Sequence, residues 1–295
     1  MSDAEKRGVQ EPIPFPFADP GEAREAALAR ARSLVAETMR AYPDWSPPPF
    51  DPTRYARLLG IPVEASRELT GWDALLIPCQ GGFRIVCNEN VRSSARRRFS
   101  IGHEIAHTFF SNTGATYRMR VTKGKEKVYE TDAALALERL CDLAAAEMLM
   151  PQSHFDRLVR EHDARAATIP ALAGIFGVSL EAAALRMVET DGGPCAAGFF
   201  HFAPPPTAAD AGGRTAYRVR RLFRSDDFPF LFPEGKSVLE TSVVHRASFQ
   251  LDEMESVEEF ELAGRRCRLS VTAFPLHREP VVVEPPTVCA VFRPA

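Results

Sequence analysis

The sequence predicts an α+β fold, and three observations carry that reading. Segments rich in Ala, Leu, Arg and Glu, with apolar residues at helical spacing, dominate the first part of the chain. A Gly192-Gly193-Pro194 break then shifts the composition. After it, residues 193–295 read as short apolar runs separated by Pro, Gly and charged turns, the pattern of a β-rich domain.

The bulk properties set limits. The 295 residues are enough for two domains, and the 45% apolar fraction supports a sizeable core. A formal net charge of -3 gives no global reason to bind nucleic acid or a membrane, although local basic patches stay open. The opening MSDAEKRGVQEPIPFPF has no long apolar stretch of the signal-peptide kind. No apolar run approaches the roughly 18 residues that a bilayer span needs, so a cytoplasmic protein is expected. Cys79, Cys87, Cys141, Cys195, Cys267 and Cys289 form no CxxC pair and read as buried small hydrophobes.

Taken in order, residues 1–20 are Pro-rich and expected to be a flexible arm, and residues 21–152 form the core domain. A helix from Pro20 to Tyr42 shows one apolar face through Leu28, Ala31, Leu34, Val35 and Met39. PDWSPPPFDP stops it, and Asp51 with Pro52 starts a short helix through Leu59. DALLIPC and GFRIVCNENV, joined through Gln80-Gly81-Gly82, predict a hairpin and hence a small antiparallel sheet.

Ser93 or Ser94 caps a helix over 94–111. Residues 112–130 read as a loop or short hairpin whose Arg118, Arg120, Lys123, Lys125 and Lys127 are solvated charges, placed to suit a flap. Tyr129 on that segment is not counted as an oxyanion donor. A strong helix follows from Asp132 to Leu149. Residues 153–192 form a helical segment in which IPALAGIFGVSLEAAALRMVET resembles a helix-turn-helix. Its second helix offers only Arg186 to a nucleic acid, so DNA contact is not favoured. His154 reads as a surface histidine, and Arg218, Arg220, Arg221 and Arg224 as the exposed face of a strand. In the β-rich region the expected strands are AAGFFHF, AYRVRRLF, SVLETSVVH, SVEEFEL, RRCRLSVTAF, PVVVE and TVCAVF. By position alone, that region suits a sensor or regulatory role.

RRFSIGHEIAHTFF places HExxH on a helical segment. Two histidines four apart lie about 40° apart around a helix, one turn above the other, so both imidazoles reach one ion. Glu104, next to the first of them, is placed to act as general base on a metal-activated water. A catalytic zinc takes three protein ligands and keeps an open position, so His103 and His107 need a partner elsewhere. ALALERLCDLAAAEMLMP supplies one. Glu138 and Asp142 share a face of a helix that is otherwise almost wholly apolar. Glu138 serves as third ligand, and Asp142 accepts the free ring N–H of His103. Zinc is the default ion for His2Glu ligation, with Mn2+ or another divalent ion left open.

HEIAH followed by ERLCDLAAAEMLMP resembles the ImmA/IrrE family of metallopeptidases, related in site design to thermolysin-like enzymes. That family shows HExxH and then a helix of the form ExxxN/D…FAxxLLMP. The matching positions here are Glu138, Asp142, Ala145, Glu147, Met148, Leu149, Met150 and Pro151. Asp142 stands where Asn is frequent, and Leu143-Ala144 where an aromatic often occurs. The resemblance covers about residues 50–190 and implies a mostly helical, minimal metallopeptidase core. It also implies a protein substrate, a helix-turn-helix repressor cut in a stress or mobile-element response. A second reading stays open at this point: a transcription-linked DNA- or protein-binding regulator with a structural or vestigial metal site.

Overall fold

In a computed structural model, residues 11–111, 132–205, 214–262, 264–277 and 285–295 are described. The chain divides into two compact units, Met1–Pro151 with Phe176–Val178, and Gln152–Ile175 with Ser179–Ala295.

The first unit opens with α1 (Pro20–Ala41), capped by Asp19, whose carboxylate accepts from the Gly21 and Glu22 amides. Ala23, Ala27, Leu28, Ala31, Leu34 and Val35 are its buried face. Residues 11–17 are not a free arm. The Ile13 amide donates to the Phe109 carbonyl at 2.8 Å, Ser111 returns the bond to Ile13, and Phe17 meets Phe110 edge-on. Apolar Ile13 and Phe17 find a buried partner there, and that outweighs the turn signals of the surrounding prolines. α2 (Pro52–Leu58) begins on the expected Asp51 cap, and its Tyr55 hydroxyl donates to the Met148 carbonyl at 2.9 Å.

Three strands follow: β1 (Val63–Ser66), β2 (Ala74–Cys79) and β3 (Gly82–Asn88), in the order β1-β3-β2. β2 and β3 form the predicted antiparallel hairpin, turning through Gly81 at φ +91°, which glycine tolerates. β1 joins β3 in parallel, so the small sheet is mixed rather than wholly antiparallel. VEAS is too short and too exposed to show a strand pattern.

α3 (Ser94–His107) starts on the Ser93 cap and ends earlier than the 94–111 expectation. The Thr108 hydroxyl and amide both donate to the Ile105 carbonyl, and Phe109 and Phe110 donate three residues back. The tightened turn frees Phe109 and Ser111 to pair with Ile13. α4 (Asp132–Leu149) packs on α3, and a Cβ on Gly102 would sit 3.5 Å from the Ala145 Cβ. Glu147, 2% exposed, accepts from Arg32 of α1 at 3.1 Å.

The second unit starts with α5 (Gln152–Glu161), α6 (Thr168–Phe176) and α7 (Leu180–Thr190). α6 and α7 bend by 111° across their short connection, within the helix-turn-helix range. Arg186 on α7 is only 7% exposed, which removes it as a nucleic-acid contact. Next come β4 (Ala196–Ala203), β5 (Ala216–Arg224), α8 (Val243–Gln250), β6 (Met254–Leu262), β7 (Arg265–Pro275) and β8 (Val288–Pro294). The five strands pair antiparallel in the order β5-β4-β8-β7-β6. Phe200, Val219, Val243, Val244, Leu269 and Phe292 belong to the core between this sheet and α8.

SVLETSVVH is the expected strand that the structure overturns, since its second half begins α8. Ser242 caps that helix, and Glu258 of β6 accepts from the Ser242 hydroxyl and the Val243 amide. A cap formed by residues far along the chain overrides the β-branched local preference. PVVVE, Tyr129 and the basic 118–127 stretch lie outside the described residues. Arg293 of β8 clasps the Asp191 carboxylate through Nε and Nη2 and also reaches the Ala164 carbonyl, so the helical segment belongs with the sheet. Among the described residues no single helix is long and apolar enough to cross a membrane.

Candidate metal centre

Two neighbouring helices build the site. On α3, one helical turn separates His103 from His107, whose rings meet edge-on at 4.8 Å between centroids. Both are buried, at 1% and 5% exposure. Glu138 on α4, 4% exposed, faces them. Its Oε2 lies 3.3 Å from His103 Nε2 and its Oε1 lies 3.5 Å from His107 Nε2, while the two Nε2 atoms are 3.1 Å apart. One donor atom from each of the three residues falls within 4.8 Å of the others, the one such cluster among the described residues.

His103 Nδ1 lies 2.8 Å from Asp142 Oδ1. That contact places a ring proton on Nδ1 and leaves Nε2 directed at Glu138. Burial opposes a second proton on this ring. The bonds to Asp142 and Glu138 and the charge of Glu104 outweigh it and raise the His103 pKa from 6.5 to about 9. Without a metal the centre therefore attracts positive charge. Two imidazole lone pairs and a carboxylate in such proximity suit a divalent cation, which satisfies all three at once.

Glu104 is fully buried beside His103, and its negative charge is felt at His103, at Cys141 and at Cys87. His154, on α5, is not a member of the cluster. The structure thus brings together all five residues that the sequence singled out: His103, Glu104, His107, Glu138 and Asp142.

One neighbour was not anticipated. Cys141 Sγ lies 3.4 Å from His107 Nδ1, with the thiol wholly buried. Burial, and then the charges of Glu138, Glu104 and Asp142, push this thiol well above its ordinary pKa, so it stays neutral. The available signal was spacing: Cys141 follows Glu138 by three residues and shares its helical face.

Residues 61–188 match the family model described as the IrrE N-terminal-like domain of the Peptidase_M78 family. The chain is 25% identical over 292 residues to the radiation response metalloprotease IrrE of Deinococcus radiodurans, covering 93% of this chain and 82% of that one. A solved structure of a Mycobacterium tuberculosis transcriptional regulator aligns at a TM-score of 0.45 and 14% identity, over 92% of this chain and 80% of the other.

Proposed function

Because the chain belongs to the ImmA/IrrE family of metallopeptidases, we propose that it is a zinc-dependent endopeptidase that makes a regulatory cut in a helix-turn-helix repressor. The observation that carries this reading is the convergence of His103, His107 and Glu138 on one point. Two nitrogens and a carboxylate match the His2Glu zinc set, which leaves a fourth position for substrate. Bound there, zinc supplies a Lewis acid for the scissile carbonyl and lowers the pKa of water.

The chain's own residues do the rest. Glu104 takes a proton from the attacking water and returns it to the leaving amine. Asp142 holds the His103 ring in the tautomer that presents Nε2. Six free thiols support a reducing, cytoplasmic setting for the reaction. The relative's name, a radiation response metalloprotease, supports a stress-triggered cut. The β-rich unit is assigned the role of sensing the trigger.

Terminal proteomics tests the substrate class. Cells expressing the wild type should contain a new N-terminus within a helix-turn-helix repressor, absent in cells expressing Glu104→Gln. New termini confined to unrelated proteins, or identical in both strains, overturn the assignment.

A further inference from the structure

We propose that Cys141 is the positioning residue of His107, its sulfur accepting the imidazole Nδ1–H so that Nε2 faces Glu138 and His103. This rests on the metal-centre reading above and extends it to the second histidine. A neutral imidazole that offers Nε2 to a cation carries its proton on Nδ1, and a buried N–H needs an acceptor. For His103 that acceptor is the Asp142 carboxylate at 2.8 Å. For His107 the Cys141 sulfur stands at 3.4 Å, a normal separation for sulfur, with histidine and cysteine both buried.

Helical spacing explains how one segment does both jobs. Glu138, Cys141 and Asp142 fall at i, i+3 and i+4, so a single turn of α4 presents one ligand and both acceptors. The two acceptors differ in strength. A neutral sulfur is a weaker acceptor than a carboxylate, so His107 is the less firmly held of the two ligands.

Zinc titration of the full-length chain against a chelating indicator tests this. Cys141→Val fills the space and removes the acceptor, Cys141→Ala removes both, and Cys141→Ser keeps an acceptor in a smaller side chain. Outer partners of metal-bound histidines are worth 10–100-fold in affinity, so Val and Ala should each bind zinc about tenfold more weakly, and Ser within about threefold of wild type. A packing role alone gives the opposite order, Val nearest the wild type and Ser as weak as Ala. Wild-type affinity in Cys141→Val, or Ser as weak as Ala, overturns the inference and leaves the metal centre standing. If Ala does not fold, the comparison of Val with Ser decides. Zinc affinity equal in wild type and Glu138→Ala, or no zinc bound by folded wild type, overturns the metal-centre reading and this inference with it.

Discussion

His103 and Asp142 form a pair in which a fully buried imidazole is held by a carboxylate that remains 40% exposed, 2.8 Å away. The buried partner faces the cluster and the exposed one faces water. On the proposed metal-centre reading, His103 is the ligand and Asp142 its outer support.

Removing that support should loosen the metal. Asp142→Ala is expected to lower zinc affinity by 10–100-fold, while Asp142→Asn, which keeps an acceptor oxygen, should lose less. Zinc competition against a chelating indicator measures both. Equal losses would show that charge matters more than ring orientation.

Glu104→Gln separates chemistry from metal binding. The carboxamide keeps the shape but cannot take a proton, so peptide hydrolysis should fall at least 100-fold, within the range of general-base catalysis. Metal content by elemental analysis should stay at the wild-type level. Cleavage at the wild-type rate contradicts the assigned role.

The raised pKa of His103 predicts how the metal-free protein responds to pH. A folded-state value above 6.5 means that the protonated ring contributes stability, fully so below pH 6.5, and that this is lost as pH rises through about 9. In chelator, the denaturant midpoint should therefore fall between pH 6.5 and about 9. Zinc-loaded protein, in which the cation replaces that proton, should show no such fall. A flat profile in chelator contradicts the electrostatic picture of the site.

The closeness of α3 and α4 depends on Gly102 and Ala145. A Cβ at Gly102 meets the Ala145 Cβ at 3.5 Å, an ordinary contact, so Gly102→Ala should fold and keep its metal. Gly102→Leu has no room. Overpacking of this kind costs about 1–3 kcal/mol, and here it also separates the ligand helices. Urea unfolding together with zinc titration should show both losses for Leu and neither for Ala.

Helical spacing made most of the candidate site legible in the sequence. His103 and His107, and likewise Glu138 and Asp142, are pairs four apart, and in a helix that separation is already a geometry. The contact between the pairs needed only a second buried helix, which its run of Leu and Ala announced. What stayed hidden depended on tertiary partners. β1 becomes a strand because β3 offers an edge to four residues with no pattern of their own. α8 replaces an expected strand because Glu258, far along the chain, completes its cap. Ile13 and Phe17 lie in a Pro-rich stretch that reads as an arm until Phe109 and Phe110 are in place. Cys141 is chemically unremarkable until α3 brings His107 within 3.4 Å of it.

The central claim is that Glu138 completes a metal site with His103 and His107. Elemental analysis of wild type and Glu138→Ala, purified in parallel without chelator, tests it most directly. The account predicts close to one zinc per wild-type chain and a large loss in Glu138→Ala with the helical circular dichroism intact. Equal metal content in the two proteins would contradict it.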